Sequence, residues 1–300
     1  RVALINSNRA TAPTTPSRML AILNQTTAQS AYTEIQERDT LLTSEPTGGK
    51  VVRTEFYPEV NLTVWTLSNG VQVGFRSVPN NDGPIIFSGI SKGGFSHLSD
   101  ADWTKVRWGM DGLVEGGVNG LSKTQINHVL AGKDVSMQLF FDESAQGVTG
   151  KFNKNDSESA MQMIYSLITG INHNPETFNT YLARSAAAAK NLYDNRDAQF
   201  EQSIQTALNR HNPRFGGIIP TAKDWANTDF ETVYRTYRQA FANVNGMYFT
   251  FVGNANTQKI KQLAERYLGS LPADLSQTNQ FFDTGARLDF TPRRIELVKG

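Results

Sequence analysis

The chain has 300 residues, 39% of them hydrophobic and 19% charged, a composition that suits a globular chain with a sizeable buried core. Its 29 basic and 28 acidic residues leave a net charge of +1 and are mixed along the chain, which excludes an electrostatic footprint for nucleic acid or for an anionic membrane surface. The lack of cysteine excludes a disulfide framework, a thiolate zinc site and a cysteine nucleophile, and no apolar run approaches the roughly 18 residues of a membrane span.

Residues 1–8 carry the short apolar run Val2–Ile5 and read as the end of a preceding domain, since TAPTTP follows at once. With neither a start Met nor a leader pattern, the chain reads as an internal piece of something longer. Residues 9–50 are expected to be a linker with a helix. Met19, Ile22, Leu23, Ala28, Tyr32 and Ile35 recur at helical spacing between Pro16 and Arg38, and SEPTGGK over Ser44–Lys50 reads as a flexible joint. The domain itself is expected over 51–276.

Within it, Leu62–Leu67 and Val71–Phe75 alternate in the strand manner around Asn69-Gly70, a pair suited to the positive φ values of a tight hairpin. Ile85–Ile90 makes a third strand. The stretch Ser99–Leu121 predicts one helix, capped by Ser99 or Asp100 and with Asp102 in its first turn. Gly109 and Gly112 fall inside it at a cost of roughly 1 kcal/mol each relative to Ala, so close packing against a neighbour is the plainest reason for them. Ser122 with Gln125 predicts a capping box and a second helix through Ile126, Val129 and Leu130, stopped at Gly132.

A hairpin follows, with Val135, Met137, Leu139 and Phe141 on one face and Val148, Gly150 and Phe152 returning. Met161, Ile164, Tyr165 and Ile168 stripe the next helix, Asn174-Pro175 opens another that includes Ala186–Ala189, and a further helix runs from about Ala198 to Arg210. Thr228 with Glu231 reads as a second capping box ahead of Phe230, Val233, Tyr234, Tyr237 and Phe241. Met247, Phe249 and Phe251 then alternate with Tyr248, Thr250 and Val252. GNAN turns this strand into a helix faced by Ile260, Leu263, Ala264, Tyr267, Leu268 and Leu271, ended by Gly269 and Pro272. Residues 277–300 are expected to be an extended segment leading to a following domain. Hairpins at both ends and helices in blocks predict an α+β fold: a mostly antiparallel sheet with helices packed on one face.

Little in the chain is recognisable as a chemical site. None of His97, His128, His173 and His211 has the partners that HExxH or HxxEH spacing requires. GGVNGLSKT, Gly116–Thr124, departs from a phosphate loop because two residues separate its last Gly from Lys123 and because it does not follow a strand. There is no GxSxG elbow and no GxGxxG after a strand. By these criteria catalytic and metal residues are none, and substrate-binding residues are unknown.

The order of the motifs says more. LSNGVQV at Leu67–Val73, SKGGFSHLSDAD, the helix after it, the capped helix, the hairpin and finally MYFTFVGNANTQKIKQLAERYLGSLP together resemble the insulinase or pitrilysin family of zinc metallopeptidases, from about Val52 onward. That resemblance implies two similar halves, each of two homologous α+β units, closing on a peptide. The active unit would carry HxxEH, two His ligands and a Glu that activates the zinc-bound water, with a third ligand, a Glu, about 75 residues later. On this sequence the motif's His positions fall at Trp108 and Gly112, its Glu at Asp111, and the third ligand within Ala186–Ala189.

Since no metal ligand is kept, the resemblance implies a zinc-free third unit of a bacterial, periplasmic peptidase, forming cleft wall and scaffold. Zinc would belong to the N-terminal half of the full protein. The implied partners are the other units of the same polypeptide and peptide substrates, with no nucleic acid and no membrane. An Arg and a Tyr that hold substrate in this family belong to its last unit, which would begin near Thr291. A scaffold or peptide-binding module of the same fold, in a protein without peptidase activity, is the alternative.

Overall fold

Alternating apolar and polar side chains build one mixed sheet. The computed structural model describes Ser17, residues 38–292 and Arg294. Among these residues the strands are β1 (Val51–Tyr57), β2 (Leu62–Leu67), β3 (Gln72–Ser77), β4 (Ile85–Lys92), β5 (Val135–Phe141), β6 (Ala145–Phe152) and β7 (Tyr248–Gly253). Their order is β1-β2-β3-β7-β4-β6-β5. Every pairing is antiparallel except β3 with β7, where Val73 lies opposite Phe249 and Phe75 opposite Phe251. The late strand β7 thus joins the β1–β3 meander to the β4–β6–β5 group.

Register places Phe75, Phe87, Phe249 and Phe251 on one face, all fully buried, and each contributes roughly 1.5–3 kcal/mol. On the opposite face Ile86 and Ile90 are 61% and 45% exposed, so the helices cover one side of the sheet. The helices are α1 (Asp100–Val106), α2 (Met110–Leu113), α3 (Lys123–Val129), α4 (Ser157–Thr169), α5 (Pro175–Tyr193), α6 (Arg196–Leu208), α7 (Ala222–Asn227), α8 (Phe230–Ala240) and α9 (Thr257–Tyr267). Helix α4 lies on β5 and β6, α9 lies on β3 and on α4, and α5 and α8 close over α2. The Tyr237 hydroxyl donates to Leu167 O at 2.9 Å, tying α8 to α4. All six apolar residues expected on the last helix face, Ile260 to Leu271, are buried.

Several local expectations are met. Ser99 Oγ accepts from Asp102 N–H, and Ser122 and Gln125 form the capping box in both directions. Others are corrected. The Asn69-Gly70 hairpin is a three-residue turn: only Gly70 has positive φ, at 80°, and Leu67 N–H donates to Val71 O across it. Thr228 and Glu231 make no capping box. Asp229 caps α8 by accepting from Thr232 N–H, because Thr228 already closes the C-terminal end of α7 as the residue after it, its hydroxyl donating to Asp224 O. The capping box here is Thr221 with Asp224, opening a helix that the pattern did not predict. Strand β1 was also unexpected; it is an edge strand with most of its side chains exposed, so it carries no alternating signal.

The helix expected over 16–38 and the strand-like run at 295–300 lie outside the described residues, apart from Ser17 and Arg38. Of the linker, Leu41 is fully buried in the core, and Gly48 N–H and Gly49 N–H donate to Ser270 Oγ and Glu265 O, both at 2.7 Å. Residues 277–292 form no strand. Asn279 Nδ2 donates to Ser91 Oγ and Asp289 N–H to Leu208 O, which lays this segment along the domain.

Candidate functional site

The helix expected over Ser99–Leu121 is broken. After α1 come α2 and a 3-10 turn, Val114–Gly116, and the joints are three-residue steps: Gly109 N–H donates to Val106 O and Gly112 N–H to Gly109 O, each at 2.9 Å. Glycine is a poor helix former, and here it also makes room. A β-carbon on Gly109 would lie 2.6 Å from Val233 Cγ2, and one on Gly112 would lie 2.7 Å from Tyr181 Cδ1 and 2.9 Å from Phe178 Cδ2. Close approach of α5 and α8 is therefore the reason for both glycines.

Two of the positions expected from the metal motif, Trp108 and Asp111, meet in a cleft at this break. Trp108, Asp111 and Tyr181 line a cleft of about 550 Å³, with Ser185, Ala188 and Ala189 of α5 on one wall and Trp225 of α7 on another. A second depression of about 460 Å³ shares Asp111, Phe141 and Tyr181 and adds Glu115 and Gln138. Of the third-ligand stretch Ala186–Ala189, Ala188 and Ala189 share this cleft with Trp108 and Asp111 and bring only methyl groups to it. Tyr181 and Trp225 were not foreseen, because nothing local in the sequence separates them from core aromatics.

Charge in the cleft is nearly all paired. Arg107 donates to Asp224 at 3.2 Å and to Gly216 O, and its guanidinium lies over the rings of Trp103 and Trp108 at 4.7 and 4.8 Å. Burial lowers its pKa, and Asp224 acts against that. Glu115 meets Lys123 at 2.6 Å and Arg184 at 3.7 Å. Asp111 has no hydrogen bond or ion pair among the described residues, and its apolar surroundings push its pKa up. Burial also raises that of Tyr181, helped by the negative charges of Asp111 and Glu115.

Zinc does not fit here. An indole N–H is only a donor, glycine brings no ligand atom, and one carboxylate with a serine falls short of a tetrahedral N/O set. No group of three or more His, Asp or Glu side chains that could hold a metal occurs among the described residues. The histidines serve elsewhere: His97 meets Phe282 edge-on at 4.6 Å, His173 Nε2 lies 2.9 Å from Glu231, His211 is 3.5 Å from Asp289, and His128 is in the last turn of α3. In the Gly116–Thr124 loop, Asn119 N–H donates to Gly170 O and Gly120 N–H to Asn172 Oδ1, so these donors are taken up within the protein.

No family model matches the chain. A zinc protease PQQL-like protein of Arabidopsis thaliana is 33% identical over 101 residues, which is 34% of this chain and 11% of that protein. A probable zinc protease PqqL of Haemophilus influenzae is 20% identical over 256 residues, 84% of this chain and 26% of its own length. The crystal structure of the periplasmic protease PqqL from Escherichia coli superposes with a TM-score of 0.66 at 20% identity, over 89% of this chain and 29% of that one. The chain therefore spans about a quarter of the longer relatives it matches. Sequence matches along most of the chain and one shared α+β architecture make it similar to zinc proteases of the insulinase or pitrilysin-like kind.

Proposed function

We propose that this chain is a zinc-free unit of a bacterial zinc peptidase, third of four homologous units, which forms cleft wall and scaffold while the metal and the hydrolysis belong to the N-terminal half. The observation that carries this reading is the occupant of the vacated motif. Trp108, Asp111 and Gly112 are the residues onto which the resemblance lays HxxEH, and the rings of Tyr181 and Phe178 lie against the place of a side chain at 112. An imidazole there would need α5 to move. The periplasm is proposed on the likeness to the Escherichia coli protease, and no helix among the described residues is long and apolar enough to cross a membrane. Peptides and the other units of the same polypeptide are the proposed partners.

The test is elemental analysis of the purified chain after incubation with excess zinc and exchange into metal-free buffer, alongside hydrolysis of a quenched fluorescent casein. Zinc well below one equivalent and no hydrolysis are expected. One tightly held zinc per chain would overturn the reading.

A further inference from the structure

We propose that the cleft beside α2 takes a basic side chain, a lysine or arginine of a peptide, with Asp111 as counter-ion and Tyr181, Phe141 and Trp108 as walls. The inference rests on the reading of this face as a peptide cleft and names the residue class it selects.

Two features argue for it. The first is charge. Of the ionic groups at the cleft, Arg107 is matched by Asp224, and Glu115 by Lys123 and Arg184, whereas Asp111 is unmatched and stands exposed where the two depressions meet. An unpaired carboxylate beside apolar walls gains most from a cation, since the other charges at the cleft already have their partners. The second is the walls. Aromatic faces attract cations, and the cleft already shows it: Arg107 lies over Trp103 and Trp108, and the Arg184 guanidinium sits 5.9 Å from the Tyr181 ring. About 550 Å³ holds a long side chain, and a Lys or Arg stem can lie along the apolar wall while its head reaches Asp111. Arg107 does not oppose this, because Asp224 offsets its charge.

The experiment titrates the 300-residue chain with acetyl-Ala-Ala-Arg-Ala-Ala-amide, its lysine counterpart and the counterpart with neutral norleucine, by calorimetry at low salt. The arginine and lysine peptides are expected to bind about tenfold or more tightly than the norleucine peptide. Asp111→Asn should abolish that preference, leave norleucine binding unchanged and leave the unfolding midpoint in place, since Asp111 has no partner to lose. Equal affinity for all three peptides, a preference that survives Asp111→Asn, or no binding of any peptide at millimolar concentration would overturn the proposal. Zinc content is a separate readout: a zinc-free chain without the basic preference sinks this proposal alone, and a zinc-loaded chain sinks the preceding reading alone.

Discussion

The Tyr181 ring and the Cα of Gly112 are in such close contact that Cδ1 would stand 2.7 Å from a β-carbon at 112. The contact accounts for a glycine in a helix-like stretch, since any side chain at 112 would collide with α5.

Gly112→Ala should destabilise the chain by about 1–3 kcal/mol, the usual result of overpacking, despite the gain in helix propensity. Urea unfolding measures it. In a double-mutant cycle with Tyr181→Ala the two losses should fall short of their sum, because removing the ring relieves one of the two clashes and leaves that with Phe178. Additive losses would show that the ring is not the obstacle.

Gly89 on β4 faces Phe249 on β7, and a β-carbon there would overlap the ring. Gly89→Ala should therefore cost about 3 kcal/mol, at the upper end for overpacking, since Phe249 is fully buried in mid-sheet and has no free volume to turn into. The same substitution at Gly132, where nothing lies within 4 Å, is limited to the strain of its φ of 76°. Gly89, in extended backbone, therefore reads the steric cost, and Gly132 the strain without a clash.

Arg214 holds down the approach to the cleft. Its guanidinium donates to Phe95 O at 2.9 Å and Leu98 O at 2.6 Å, and to Asp100 and Glu143 at 3.0 and 3.1 Å. Arg214→Lys keeps the charge and loses the fork, and Arg214→Ala leaves the carbonyls without a donor. The expected losses are about 1 and about 3 kcal/mol respectively, read by thermal unfolding.

Asp229 caps α8, and its pKa is lowered by the Thr232 hydroxyl and then by the Thr232 backbone N–H. A carboxyl that binds protons more weakly when folded stabilises the fold above its unfolded pKa of about 3.9, and that contribution is lost as pH falls through the folded value. Asp229→Ala should cost about 1 kcal/mol at pH 7. The gap from the wild-type chain should shrink below about pH 4. A gap that stays constant down to pH 2 would show that the charge plays no part.

Much of the architecture was legible because its signals are local. The alternation in Val135–Phe141 and Tyr248–Val252, the caps at Ser99, Ser122 and Asn174 and the stripe from Ile260 to Leu271 each lie within one turn, one strand or one helix, where backbone sterics and burial act directly. The turn at 68–70, the cap at Asp229 and edge strand β1 were misread or missed where two local solutions compete or where neither face is buried. That indole and glycine offer no zinc ligand was likewise readable from residue identity. What the tertiary structure alone decided is the cleft. Gly112 with Tyr181, Trp108 with Trp225 at 6.2 Å, and Arg107 with Asp224 are pairs far apart in the chain. No local periodicity encodes such pairs, because their contact depends on how α5, α7 and α8 stack on the broken helix.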